Sequence, residues 1–381
     1  MLDGIIMADP HFGAINPRRF MKELDGCLFT MMNHLKKLDV FIIAGDLFDM
    51  KEYSSSDTFR TVLDFLYKVI EYTSKLNTKI VILKGTRNHD DLQLYTLEKI
   101  FNGFDRIKFV HSVTEDNING TSFLYIPEEY IVDQNLYYKD YFNKHYDIII
   151  GHGMIDKIWY AKDAKRESMS SAPVFDVEEL CSVANYCYFG HVHEHKEYGK
   201  NKRFRYVGPM TVWEYDKHDC GYYVIHYDEN NKIMIEDYIE NDYAQILKTY
   251  PISVDDDMTM DELMKVVQKA LDKTDYDGLK LIVRIKSSHP LYVQAKNYLI
   301  TKVGLYDKVI LSLITDEDKT ETEEEKVARE KADKLHDALF SNPMPDDVII
   351  SEFIRNKENK NISLDRIRKV CGMELETTLG E

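Results

Sequence analysis

Five short clusters of oxygen and imidazole side chains punctuate the first half of the chain. They are Asp9-Pro10-His11, Gly45-Asp46-Leu47-Phe48-Asp49, Asn88-His89-Asp90, Gly151-His152-Gly153 and Gly190-His191-Val192-His193. Taken singly, most have an ordinary explanation. Asp-x-His arises often by chance, the acidic pair can be a strand-to-loop turn, and Asn-His-Asp can cap a helix. The Gly-His-x-His group is rarer, with roughly 0.02 chance occurrences expected from this composition. Together the clusters offer two carboxylates (Asp9, Asp46), one amide oxygen (Asn88) and four imidazoles (His11, His152, His191, His193), with His89 to spare. That set is too oxygen-rich for a structural zinc and suits two borderline-hard cations such as Mn²⁺ or Fe²⁺. One carboxylate can bridge two such ions roughly 3.5–4 Å apart, the spacing that clamps both oxygens of a phosphoryl displacement.

The elements that must position these groups can be read from hydrophobic patterning. IIMAD (5–9), VFIIAGD (40–46) and KIVILKG (79–85) read as strands. Between them lie a helix over 17–38, with Phe20, Leu24, Leu28 and Met31 at helical spacing, and a second helix capped by Asp57. This β-α-β-α-β order implies right-handed crossovers and a parallel or mixed sheet. DIIIGHG (147–153), YCYFGH (186–191), RFRYVG (203–208) and GYYVIHY (221–227) are further strands, and the last two, with 232–238, look like the antiparallel closure of a second sheet. All five clusters fall at the carboxyl ends of apolar strands, where open α/β sheets bind ligands. The expected fold is a two-sheet α/β sandwich over 1–240.

Beyond it, 241–258 is a polar, acidic break, and Thr259 with Glu262 spells a capping box. LKLIVRIK (279–286) and DKVILSLI (307–314) are strands of a small separate α/β domain, placed at 250–315. Residues 315–330 read as a solvated acidic linker or helix start, and 325–381 as a helical segment.

Composition narrows the class. The 381 residues are 44% apolar and 30% charged, an ordinary globular profile that excludes a mainly disordered or fibrous chain. No apolar run approaches the roughly 20 residues that span a bilayer, and the first residues lack the basic and apolar regions of a secretory signal. Five scattered cysteines fit reduced thiols in the cytoplasm better than a disulfide framework. A net charge of −17 argues against indiscriminate nucleic-acid binding but leaves room for a local basic patch.

In this order the five clusters resemble the signature of the calcineurin-like metallophosphoesterases. The spelling DPHFG, AGDLFD and FGHVH, with YVGPMTVWE downstream, looks more narrowly like the SbcD-type nuclease subunits and their phage relatives. The resemblance covers residues 4–240 with specific motifs and extends to the later segments by arrangement alone. It implies one metal held by Asp9, His11, Asp46 and His193, and another held by Asp46, Asn88, His152 and His191. The ions would be Mn²⁺, with Fe²⁺ or Mg²⁺ as alternatives. It further implies that His89 assists the transition state and the leaving oxygen, that Asp90 orients His89, and that Asp49 supports the ligands from behind. The family usually has Gly directly before the Asn, whereas here Arg87 holds that position and Gly85 lies two residues earlier.

For the SbcD group the resemblance implies DNA as substrate, cut as a 3′→5′ exonuclease on duplex ends and as an endonuclease on single strands or hairpins. It also implies a homodimer within a heterotetramer with an SbcC-like coiled-coil ATPase, acting in the cytoplasm, including a host cytoplasm if the chain is a phage protein. Residues 325–381 would grip the ATPase, with Val348, Ile349, Phe353 and Ile354 as groove anchors. Lys196, Lys200, Lys202, Arg203 and Arg205 are candidate phosphate contacts, against the plainer reading of a charged hairpin. Arg18 and Arg19 are weaker candidates, Trp159-Tyr160 could stack on a base, and His195 reads as solvated or supporting. Two rival classes share the motifs: a stand-alone phosphoesterase acting on a small nucleotide or phosphoprotein, and a non-catalytic DNA-end scaffold.

Overall fold

The computed structural model describes residues 1–131, 134–156, 173–273, 275–303, 306 and 308–315. The chain divides into two compact units, Met1–Lys162 with Ala172–Thr320, and Asp163–Ser171 with Glu321–Glu381; the described residues belong to the first. Trp159, Tyr160 and the proposed ATPase-binding stretch 325–381 lie outside them.

Four strands run parallel in the first sheet: β1 (Leu2–Met7), β2 (Val40–Ala44), β3 (Lys79–Leu83) and β4 (Ile107–Val110). The apolar runs of β1, β2 and β3 are buried on both faces, as parallel strands covered on either side require, while β4 at the sheet edge is half-buried. The crossovers are α1 (Pro17–Leu24), α2 (Asp57–Thr73) and α3 (Arg87–Ile100). After α1 the helix continues through a π turn at Asp25–Phe29 and a last turn at Thr30–Met32, so it stops short of the expected Leu38. Leu38 is instead buried where the chain enters β2. Ser56 rather than Asp57 caps α2, its Oγ accepting from Phe59 N at 3.0 Å. Asp57 then stands in the first turn, where its charge favours the helix N-terminus.

The second sheet holds β5 (Thr114–Ile118), β6 (Thr121–Ile126), β7 (Tyr146–His152), β10 (Ala184–Gly190), β11 (Lys196–Tyr198) and β12 (Phe204–Tyr206) in the order β11-β12-β10-β7-β6-β5. Its helices are α4 (Gln134–Phe142) and α5 (Val177–Val183), and a short parallel pair, β8 (Met154–Ile155) and β9 (Val174–Phe175), lies between them in sequence. The strands β13 (Gly221–Asp228) and β14 (Ile233–Glu240) correct the expected closure. They belong to the first sheet, with β13 antiparallel to β1 and Leu2 opposite Tyr227. The physical reason is that β1 would otherwise leave an open edge.

The expected two-sheet α/β sandwich is therefore present. Ile6, Ile42 and Val81 meet Ile148, Ile150 and Tyr188 between the sheets. Helices α1 and α2 cover the far face of one sheet, and α4 and α5 cover that of the other.

A three-stranded parallel sheet follows, β15 (Leu247–Ser253), β16 (Gly278–Arg284) and β17 (Val309–Ile314), with helices α6 (Met260–Leu271) and α7 (Tyr292–Lys302). It has its own core of Leu263, Val267, Leu281 and Leu299. Both halves of the capping box at Thr259 and Glu262 are made. Strand β15 occupies part of the stretch read as a polar break. It is an edge strand, the one place where Pro251 can be accommodated in a sheet.

Candidate metal centre

The loops that leave β1, β2, β7 and β10 converge at one end of the sandwich. Asp9, His11, Asp46 and His191 all have φ between 44° and 91°, a region that side-chain-bearing residues seldom occupy. Four such residues at one place mark a backbone bent to aim side chains inward, at a cost of about 1–3 kcal/mol each. Glycine is obligatory at two neighbouring positions. Gly45 has φ +85° and a Cβ there would strike the His152 ring, while a Cβ on Gly85 would strike the backbone nitrogen and carboxylate of Asp46.

Two donor groups share Asp46. Asp9, His11, Asp46 and His193 present ligand atoms within 4.8 Å of one another, and so do Asp46, His152 and His191. His11 and His193 face each other with Nε2 atoms 3.0 Å apart, and Trp213 packs against both rings at 4.8 and 4.9 Å. His152 donates from Nδ1 to the Ala44 carbonyl at 2.9 Å, which leaves Nε2, 3.3 Å from Asp46 Oδ2, as the inward-facing lone pair. Asp9 accepts from His191 N at 2.9 and 3.1 Å, so it fixes the loop that carries the last two histidines.

His89 opens α3 and meets the His11 ring edge-on at 4.8 Å. Its Nδ1 donates to the Asp49 carbonyl, and the Asp49 carboxylate lies 3.5 Å from His11 Nδ1. Asp90 departs from the expected role. While His89 Nδ1 is bonded to the Asp49 carbonyl, the Asp90 carboxylate accepts from Gly85 N at 2.8 Å and Phe48 N at 3.2 Å, tying the loops after β3 and β2 together. It turns inward from the first turn of α3 because it is buried there among those two backbone donors.

Asn88 is not brought into the cluster. With two residues between it and Gly85, it is carried into the first turn of α3 and left exposed. Thr86 takes the inner place: its N donates to Asp46 Oδ1 at 2.5 Å and its hydroxyl to Asp46 Oδ2 at 3.1 Å. Glu128, just beyond β6, also enters, buried and 3.1 Å from His191 Nδ1. No motif pointed to either residue, although Thr86 is the one that directly follows the glycine.

Asp9, Asp46, Asp90 and Glu128 are all at most 2% exposed, and among the described residues the ion-pair partners of Asp9, Asp46 and Glu128 are imidazoles. Burial pushes Asp9 up to about 6, opposed by His152 and reinforced by Asp46. Burial disfavours an imidazolium at His152, but Asp46, Asp9 and Glu128 outweigh it and hold the ring well above its ordinary range. Burial and the neighbouring His11 together push His193 down to about 3. Buried carboxylates partnered by imidazoles are a donor set that suits divalent cations, whose binding requires the carboxylates ionised and the imidazoles neutral. The residues thus fit a dinuclear site of mixed carboxylate and imidazole ligands.

The candidate phosphate contacts divide. Arg205 is buried on β12, paired with Glu236 and stacked over Tyr186 and Tyr188, so it belongs to the packed interior rather than to an exposed basic face. Lys196 pairs with Glu194, and Lys202 lies 2.6 Å from Glu197. Lys200 is exposed and Arg203 partly so. Arg19 bonds Glu23 at 2.9 Å, and His195 stacks on Tyr238 and reaches Tyr223 OH at 2.6 Å.

This centre on this sandwich is the arrangement of a metal-dependent phosphoester hydrolase. Residues 5–195 match the family model described as calcineurin-like phosphoesterase, and the chain belongs to that family. No curated protein matches the chain. Among solved structures, a protein of unknown function from Aquifex aeolicus is similar at 11% identity over 53% of this chain and 83% of that one, with a TM-score of 0.23. No helix among the described residues is long and apolar enough to cross a membrane.

Proposed function

We propose that the phosphoester this chain hydrolyses is the DNA phosphodiester, and that it works as the nuclease subunit of an SbcCD-type complex with a coiled-coil ATPase. The observation that carries this reading is the spelling of the site loops, DPHFG, AGDLFD and FGHVH. Two divalent cations, Mn²⁺ foremost, would neutralise the phosphate and supply a water of lowered pKa.

The chain's own groups do the rest. Asp9, His11, Asp46 and His193 would hold one cation, and Asp46, His152 and His191 would supply ligands for the other. His89, with Nδ1 committed to the Asp49 carbonyl, presents Nε2 to the leaving oxygen and can protonate it. Trp213 closes off one side of His11 and His193. Lys200 and Arg203 remain as phosphate contacts, and 325–381 as the ATPase-binding segment of one protomer in a homodimer. An ATPase partner would contribute the positive field that a chain of net charge −17 lacks.

The rival, a stand-alone phosphoesterase acting on a small nucleotide or phosphoprotein, gains from the burial of Arg205 and the pairing of Lys196 and Lys202. A Mn²⁺ assay on linear duplex and hairpin DNA beside bis-p-nitrophenyl phosphate, with His89→Ala as control, separates them. DNA cutting lost in the control supports the nuclease. Turnover of the small ester alone, with DNA untouched even when the ATPase is added, refutes it.

A further inference from the structure

Glu128 is a carboxylate at 1% exposure whose surroundings are ligand atoms rather than cationic side chains. Its Oε2 lies 3.1 Å from His191 Nδ1, 3.8 Å from His152 Nε2 and 3.4 Å from Thr86 Oγ1. Thr86 Oγ1 in turn lies 3.4 Å from both His152 Nε2 and His191 Nδ1 and 3.1 Å from Asp46 Oδ2. Donors around one small cation with bonds of roughly 2.1 Å sit about 3 Å apart when adjacent, which the 3.1 Å between Glu128 and His191 matches; Asp46, His152 and His191 form the cluster of ligand atoms within 4.8 Å of one another, and Glu128 adjoins it on the side of the two imidazoles. The other oxygen of Glu128, Oε1, accepts from Tyr130 OH at 2.6 Å, and Glu128 N donates to Lys84 O at 3.2 Å. The side chain is therefore held in place, with Oε2 facing the histidines. Asn88 has no part in this set.

We propose that Glu128 completes the second cation site with Asp46, His152 and His191, in the role the sequence pattern assigned to Asn88, and that Thr86 fills the inner position of the loop. The inference rests on the metal-dependent hydrolase reading but not on DNA as the substrate. A carboxylate in place of a neutral amide adds a negative charge to the second site. The ion there is held more tightly, and hard, oxygen-preferring cations such as Mn²⁺ and Mg²⁺ are favoured over softer ones.

The test is Mn²⁺ binding by the full chain without substrate, stripped of metal and then followed by calorimetric titration and elemental analysis after dialysis. The wild type takes up two ions per chain. Glu128→Gln, which keeps shape but removes charge, retains one ion and binds the second at least roughly 10-fold more weakly, whereas Asn88→Ala retains two. Glu128→Asp, which keeps the charge on a shorter arm, holds the second ion more tightly than Glu128→Gln. It stands in should Glu128→Gln lose its far-UV circular dichroism. Unchanged binding of both ions in Glu128→Gln, or loss of one in Asn88→Ala, or Glu128→Asp binding no better than Glu128→Gln, overturns the inference. A chain that binds two ions with this dependence on Glu128 and cuts no DNA leaves the inference standing and removes only the nuclease reading.

Discussion

Replacing Asp90 by alanine separates a structural role for this residue from the orienting role that the motif suggests. Its two oxygens accept from Gly85 N at 2.8 Å and Phe48 N at 3.2 Å, and the carboxylate is fully buried. Alanine leaves both backbone donors unmet in the interior, at about 1–3 kcal/mol each, or about 2–6 kcal/mol together. Part of that loss is offset because a buried carboxylate beside Asp46 is itself costly: burial, then Asp46, pushes Asp90 up to about 7. At about pH 4.5, where the offset from a carboxyl raised above 3.8 is about 1 kcal/mol, the middle of that range leaves a net loss of about 3 kcal/mol. With a urea slope of roughly 3 kcal/mol/M it lowers the unfolding midpoint by about 1 M. Asparagine, which can still accept one of the two bonds, loses less than half as much.

The assay is urea unfolding of the metal-free protein followed by tryptophan fluorescence. The pH dependence supplies a second readout. A carboxyl raised in the folded state from 3.8 to about 7 contributes stability that is complete below pH about 4 and is lost as pH rises through about 7. The metal-free wild type therefore weakens across that window, and Asp90→Asn weakens less. A midpoint unmoved by Asp90→Ala, with kcat alone reduced, would refute this reasoning and restore the orientation of His89 as the residue's role.

Three further outcomes are expected. His89→Ala lowers kcat by roughly 10²–10⁴-fold while leaving both bound metal ions in place, as elemental analysis of the dialysed variant would show. Arg205→Met leaves the partly buried Glu236 with Tyr188 OH as its remaining partner and lowers stability by about 1–3 kcal/mol, read as a lower urea midpoint with small-ester turnover unchanged. Thr259→Ala removes the α6 capping box and costs about 1 kcal/mol in the three-stranded unit, read as a lower melting temperature without loss of small-ester turnover.

Ligand types at the ends of apolar runs announced both the two-sheet α/β fold and the convergence of Asp9, His11, Asp46, His152, His191 and His193, because strand ends are where such a fold gathers its loops. The capping box at Thr259 was legible because it is local, needing only residues three apart.

What required the tertiary structure was everything set by distance across the chain. The pairing of β13 with β1 rather than with β12 depends on which edge lay open, a property no window of sequence contains. Asn88 and Thr86 differ by two residues, yet the first turn of α3 sends one to solvent and leaves the other against Asp46. The motifs suggest that Asp90 acts on a neighbour and Arg205 on phosphate, but burial commits them to backbone donors and to Glu236. Glu128 comes from the end of a strand with no motif, and meets His191 only because β6 lies beside β7 and β7 beside β10 in one sheet. Its carboxylate became part of the site through strand order, which the chain fixes only when all its strands have paired.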